Sequence, residues 1–285
     1  MTVMRQVVFL IQTADRKGLL AEISSFFYNN GFNILQCRQF SDIRAGRYFM
    51  RIELELHAGI TRRELEEAFA KFAAELGLEY SVHHVETKQN VALMVSKTSH
   101  CLYDLLMHAD EGDLDCNIPL IISNHPDLEY VADRFNVPYF CCPMEKGKKA
   151  EQEAKVLDLL KSHRIDLVVM ARYMQILSDD FIAHYPQRII NIHHAFLPAF
   201  QGGNPYERAW ERGVKMIGAT AHYATADLDE GPIIEQDVER ISHMDMPEDL
   251  KQIGKDIERR VLTRAVRAHL EHRVIVSGRR TIVFS

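Results

Sequence analysis

Arg188-Ile189-Ile190-Asn191-Ile192-His193-His194-Ala195-Phe196-Leu197-Pro198 is the stretch on which the reading of this chain turns. Its apolar start reads as a buried strand. Side chains alternate along an extended strand, so Asn191 and His193 share one wall while His194 is sent to the other, to pack or support. A second strand, Ile217 to Thr225, carries His222 towards the same place and runs into Leu228-Asp229-Glu230-Gly231-Pro232, a loop that delivers Asp229. An amide that donates hydrogen bonds, an imidazole that moves protons and a carboxylate are the groups that a water-driven attack on a carbonyl carbon needs.

Outward from this stretch the chain alternates apolar and helical segments. Val91 to Val95, Pro119 to Ile122, Pro138 to Cys141, Leu167 to Met170 and Ile189 to Ile192 read as strands. His100 to Met107, Leu128 to Phe135, a charged segment from Glu145 to His163, and Asp179 to His184 read as the helices between them. That order predicts a mostly parallel, Rossmann-like α/β sheet wrapped by helices. Ligands of such sheets bind beyond the carboxyl ends of the strands, where Asn191, His193 and Asp229 fall. A long amphipathic helix is predicted from Met246 to about His272, then a hairpin around Ser277-Gly278.

Residues 5 to 85 carry a different pattern. Strands are predicted at Val7 to Gln12, Asn33 to Phe40, Tyr48 to Leu56 and Tyr80 to Val85, with helices at Leu19 to Phe27 and from Thr61, where Glu64 completes a capping box. In the third strand Phe49, Arg51, Glu53 and Glu55 interleave with apolar residues, a half-exposed alternation. The order strand-helix-strand-strand-helix-strand is the ferredoxin-like α+β plan. With Thr87-Lys88-Gln89 as a short polar join, the expected domains are 1–86 and 87–285.

Composition narrows the partners. A formal charge of -6 argues against nucleic acid, which requires a basic face. No apolar run approaches the length of about 20 residues that a membrane helix needs. Met1-Thr2-Val3-Met4-Arg5 lacks a signal layout, and five cysteines without framework spacing fit reduced thiols, so a cytoplasmic location is expected. Cys141 and Cys142, at a predicted strand end, read as small buried hydrophobes rather than a redox pair.

Two resemblances add to this. Asp15-Arg16-Lys17-Gly18-Leu19-Leu20-Ala21-Glu22-Ile23 with Gly31-Phe32-Asn33-Ile34 resembles an ACT domain. The resemblance implies an amino-acid effector near Asp15, Gly18, Leu19, Asn33 and Ile34, where free helix amides suit a carboxylate; a pairing module without ligand is the alternative. From about residue 90 to the C-terminus, the N-x-H at Asn191 to His193, the Leu197-Pro198 step and the LDxGP loop at Leu228 to Pro232 resemble the formyltetrahydrofolate-using transformylases. Ala195 stands where relatives often have Ser, and Gln201-Gly202-Gly203-Asn204-Pro205 departs from the usual loop.

That resemblance implies that Asn191 holds the formyl oxygen, His193 polarises it and passes a proton to the departing nitrogen, and Asp229 orients or deprotonates water. It assigns folate contacts to Met174, Gln175, Leu177, His222, Thr225, Ala226, Asp227 and Leu228. Where transformylases carry a glycine-rich phosphate loop, this chain has Ser96-Lys97-Thr98-Ser99-His100-Cys101, and no nucleic-acid domain follows. With the ACT-like module in front, the chain most closely resembles the deformylase branch of the family. The implied activity is hydrolysis of 10-formyltetrahydrofolate to tetrahydrofolate and formate, without cofactor or metal, feeding purine synthesis, in a homo-oligomer (dimer or tetramer). The alternatives are a transformylase acting on a small amine and a non-catalytic folate or amino-acid sensor. A metallohydrolase using His193, His194, His222 and Asp229 is disfavoured by the lack of ligand spacing.

Overall fold

The computed structural model describes residues 5–56, 59, 61–198 and 205–285, so the Gln201-Gly202-Gly203-Asn204 departure and the first four residues lie outside the described residues. The chain divides into two compact units. One is the segment up to Thr87 together with Glu271–Ile275 and Ile282–Ser285; the other is Lys88–Leu270 with Val276–Thr281.

The first unit contains β1 (Arg5–Ala14), α1 (Leu19–Asn29), β2 (Asn33–Asp42), β3 (Arg47–Leu56), α2 (Arg62–Leu76) and β4 (Glu79–His84). Its antiparallel sheet has the order β2-β3-β1-β4, as the ferredoxin-like plan requires. Period-2 alternation on β1 sends Val7, Phe9 and Ile11 to the helices, where Phe9, Phe27 and Phe69 form the centre of the core. The expected capping box starts α2: the Glu64 amide donates to Thr61 Oγ1 (3.2 Å) and the Thr61 amide to Glu64 Oε2 (2.8 Å).

The half-exposed alternation expected of β3 is not what is found. Its burial is nearly continuous, and even Arg51 is only 6% exposed. The reason is the C-terminal tail. Ile275 and Phe284 pack on Val8, Leu10 and Phe49, covering the sheet face opposite the helices. Arg51 is satisfied there, donating to the carbonyls of Glu271 and His272 and to Gln36 Oε1 and Glu53 Oε2. The hairpin strands β12 (Val274–Ser277) and β13 (Arg280–Val283) turn at Gly278, whose φ of +60° is the left-handed conformation that glycine adopts freely.

The second unit carries a seven-stranded sheet in the order β11-β10-β9-β8-β5-β6-β7. Its elements are β5 (Gln89–Val95), α3 (His100–Asp110), β6 (Cys116–Ser123), α4 (Glu129–Phe135), β7 (Tyr139–Cys141), α5 (Lys149–Ser162), β8 (Leu167–Met170), α6 (Asp179–His184) and β9 (Ile189–His193). α7 (Pro205–Arg212), β10 (Met216–Tyr223), β11 (Ile233–Arg240) and α8 (Pro247–Leu270) follow. Strands β5 to β9 are parallel, and β10 and β11 add an antiparallel edge. The chain builds outwards from β5 to β7, then returns to place β8 on the other side of β5. That reversal is a topological switch point, and it opens a crevice at the carboxyl ends of β5, β8 and β9.

Two local expectations fail. Helix α5 begins at Lys149 rather than Glu145, after a turn at Gly147 in the left-handed region. Cys141 is exposed and Cys142 half-buried, because β7 is a three-residue edge strand with one unpaired side.

Candidate active site

A cavity of about 820 Å³ lies over the carboxyl ends of these strands. Asn191 and His193 line it together, as alternation on β9 requires. Across the antiparallel pairing, His222 stands directly opposite Asn191, and the Asn191 amide nitrogen lies 3.2 Å from His222 Nε2. The other ring nitrogen of His222, Nδ1, lies 3.0 Å from the Tyr223 carbonyl. A carbonyl only accepts, so Nδ1 carries the proton and Nε2 accepts from Asn191. This fixes which end of the Asn191 amide is the donor. A β-bulge between Ala221 and His222 aims the ring inwards.

Asp229 reaches the cavity through a loop whose sequence is constrained at two positions. Asp229 itself has φ +57°, a conformation that Asp tolerates better than most residues. Gly231 passes so close to the preceding strand that a Cβ there would stand 1.7 Å from the Tyr223 carbonyl oxygen. Only glycine allows the chain to fold back at this point, which gives the LDxGP spacing its physical meaning.

The loop sets Asp229 Oδ1 3.1 Å from His193 Nδ1 and 3.8 Å from His222 Nε2. The hydrogen bond from His193 holds the Asp229 carboxyl below the usual carboxylate range, against the opposing effect of burial. With Nδ1 occupied, His193 presents Nε2, a buried atom without a hydrogen-bond partner among the described residues. Burial, opposed by the Tyr223 carbonyl and Asp229, lowers the pKa of His222, so it stays neutral.

A second polar cluster lines the same cavity and was not anticipated. Glu258, on α8, is 1% exposed. It accepts from Tyr206 (2.7 Å), lies 2.7 Å from His100 Nε2 and faces Arg172 Nε at 3.5 Å. Burial alone would raise its pKa; the His100 hydrogen bond, Arg172 and Tyr206 outweigh this and keep the carboxylate ionised. Gly254 makes the cluster possible, since a Cβ there would meet the Tyr206 hydroxyl at 2.1 Å. Glu258 had a sequence signal: it interrupts the apolar stripe of Leu250, Ile257, Val261, Leu262 and Ala265 on α8. Cys101 Sγ sits within 4.8 Å of ligand atoms of His100 and Glu258, but burial keeps that thiol protonated and a poor metal ligand.

His194 departs from its expected position. It lies parallel to His193, ring centroids 5.1 Å apart, and lines the same cavity. Strand β9 ends at His193, so the alternation that would have turned His194 away no longer applies. Burial and then the nearby Arg172 charge push its pKa down to about 4.

The residues assigned to folate divide. Met174, Gln175, Leu177, His222, Thr225, Ala226 and Leu228 line the cavity; Asp227 does not. The Asp227 carbonyl instead accepts from Thr225 Oγ1 (3.1 Å) and the Glu230 amide (3.2 Å), closing the loop that carries Asp229.

Residues 89–266 match the family model described as formyl transferase. A formyltetrahydrofolate deformylase of Synechocystis is 51% identical over 277 residues, 97% of both chains. The solved formyltetrahydrofolate deformylase of Pseudomonas syringae pv. tomato superposes with a TM-score of 0.96 at 42% identity, over 100% of this chain and 96% of that one. This chain belongs to the formyltetrahydrofolate deformylase family. Glycinamide ribonucleotide transformylase 1 of Symbiobacterium toebii is also similar, with 30% identity and a TM-score of 0.66 over 71% of this chain and 97% of its own. The mostly parallel sheet is thus a formyltransferase fold, shared by hydrolysing and transferring relatives alike. Fold alone does not choose between water and an amine as acceptor; the cavity wall has to.

Proposed function

We propose that this chain hydrolyses 10-formyltetrahydrofolate to tetrahydrofolate and formate, with Asn191, His193 and Asp229 as the catalytic residues. The observation that carries the reading is the His193–Asp229 pair in the cavity wall, with one imidazole nitrogen held by the carboxylate and the other buried without a hydrogen-bond partner among the described residues. The pterin lies against Met174, Gln175, Leu177 and the Thr225 to Leu228 loop, which places the formyl carbon at Asn191 and His193. Water, oriented or deprotonated at Asp229, adds to that carbon. The carbonyl oxygen becomes an oxyanion, and the Asn191 amide, its flip fixed by His222, donates to it. One such donor typically lowers a barrier by about 3 kcal/mol.

The C–N bond then breaks. The leaving group is an aryl amine, which departs readily only when protonated, so His193 delivers a proton to that nitrogen as the bond cleaves. The formic acid left behind loses its proton as formate. The proton delivered is the one the attacking water gives up: it passes through the Asp229–His193 pair and is held on His193, until the bond breaks, as an imidazolium stabilised by Asp229. Every step is covered by a side chain on the cavity wall, and none calls for a cofactor.

The first unit is read as an ACT-like module. Gly18 begins α1 with φ +96°, and no side chain caps the helix there. The first-turn amides near Asp15, Gly18 and Leu19 suit an effector carboxylate, with Asn33 and Ile34 on the adjoining strand. The described helices include none long and apolar enough to cross a membrane. The reading extends to a cytoplasmic homo-oligomer, dimer or tetramer, that returns tetrahydrofolate to the one-carbon pool and formate to purine synthesis. The test is turnover of 10-formyltetrahydrofolate by purified protein, with and without glycinamide ribonucleotide. Formate released without the amine supports hydrolysis. Formyl transfer that occurs only with the amine present contradicts it.

A further inference from the structure

Arg172 stands two residues past the end of β8, whose Met170 pairs in register with Asn191. Like His193, Arg172 lines the cavity. Its backbone has φ +67°, a conformation that is costly for a residue with a Cβ and that glycine would adopt freely. Its Nε and Nη1 atoms are buried, yet have no hydrogen-bond partner among the described residues. Glu258, whose oxygens already receive Tyr206 and face His100, holds the cation at 3.5 Å without satisfying it. A strained backbone presenting a buried guanidinium with spare donors calls for an anion that arrives and leaves.

The reaction supplies one. The formyl group enters neutral and departs as a carboxylate, a planar anion matched in shape by the guanidinium fork. We propose that Arg172 is a further binding residue for this reaction, and that its guanidinium, oriented by Glu258, receives the formate product. The inference rests on the hydrolytic reading above. Lys251 and Lys255 line the same cavity, as does Glu207.

Formate binding is measured by saturation-transfer NMR on the formate proton, for the unaltered chain, Arg172→Lys and Arg172→Gly, with inorganic phosphate as competitor. Glycine suits the left-handed backbone, so Arg172→Gly keeps the fold while deleting the cation. The formate dissociation constant is expected to rise about tenfold or more in Arg172→Gly, and by a smaller factor in Arg172→Lys. Equal formate binding by all three proteins overturns the proposal. So does phosphate that displaces formate at far lower concentration and depends on Arg172 more strongly, because the cation would then serve a phosphate-bearing group. Turnover measured on the same samples separates the two claims. Turnover with Arg172-independent formate binding refutes this inference alone; Arg172-dependent binding without turnover refutes the hydrolytic reading alone.

Discussion

Two of the carboxylates on the cavity wall, Asp229 and Glu258, are built differently. Glu258 is saturated: Tyr206 donates to it, His100 and Arg172 face it, and α8 keeps it from water. Asp229 has one close partner, His193, whose other nitrogen is buried without a partner among the described residues. The Glu258 cluster shows what a buried charge looks like when its task is to hold neighbours in place. The Asp229 cluster leaves unpaired an atom that solvation would favour pairing, and it sits on a left-handed backbone. The Glu258 carboxylate is itself fully partnered, whereas the unpaired atoms on the cavity wall belong to His193 and to the imidazole and cation around Glu258, His100 and Arg172.

The contrast breaks first at Asp229 and His193. Asp229→Asn and His193→Ala are each expected to reduce turnover by roughly 10³-fold or more, with little change in the melting transition. Asn191→Ala should cost about 10²–10³-fold, as for other lost oxyanion donors. Steady-state kinetics beside thermal melts checks all three, and near-normal activity in any of them removes it from the catalytic set. Gly231→Ala comes next. Its Cβ would sit against the Tyr223 carbonyl, so the loop must move and carry Asp229 away. Turnover should drop by about tenfold or more while the rest of the unit stays folded, since a displacement near 1 Å has effects of that order or greater.

A smaller effect is expected from pH. His194, with a folded pKa lowered from 6.5 to about 4, binds fewer protons folded than unfolded between those values. Stability therefore falls as pH drops from about 6.5 towards 4 and is unaffected by this group above that window. His222, in the same unit, is shifted in the same direction. Asp229 acts in a lower window: its depressed pKa contributes stability that persists above its ordinary value of 3.8 and is lost only below it. Denaturant melts across this range should show a shallower acid slope for His194→Asn than for the unaltered chain, and an identical slope would refute the burial argument. The smallest change belongs to Tyr206→Phe, which removes one donor from a saturated carboxylate. About 1–2 kcal/mol of stability and less than tenfold in turnover are expected. A turnover loss matching Asp229→Asn would erase the distinction between the clusters.

Much of this was legible in the sequence because it depends on short-range periodicity. Continuous apolar runs alternating with helical segments specify the parallel sheet, and period-2 alternation puts Asn191 and His193 on one wall. The same rule misplaced His194, because alternation holds only while the strand lasts and β9 ends one residue earlier. What stayed hidden depends on contacts distant in sequence. Arg51 looked half-exposed because the tail that buries it lies more than 200 residues away. Arg172 lies just before Met174, Gln175 and Leu177, and nothing local shows that it faces Glu258. Glu258 was visible as a charge within an apolar stripe, but its partners come from α3, α7 and the loop after β8, which only the folded topology assembles.

The central claim, that water is the acceptor at the Asn191–His193–Asp229 site, is tested most directly by turnover of 10-formyltetrahydrofolate in ¹⁸O-labelled water with glycinamide ribonucleotide present. The account predicts that each formate released carries a single labelled oxygen and that the amine remains unformylated. Unlabelled formate, or formyl groups recovered on the amine, would contradict it.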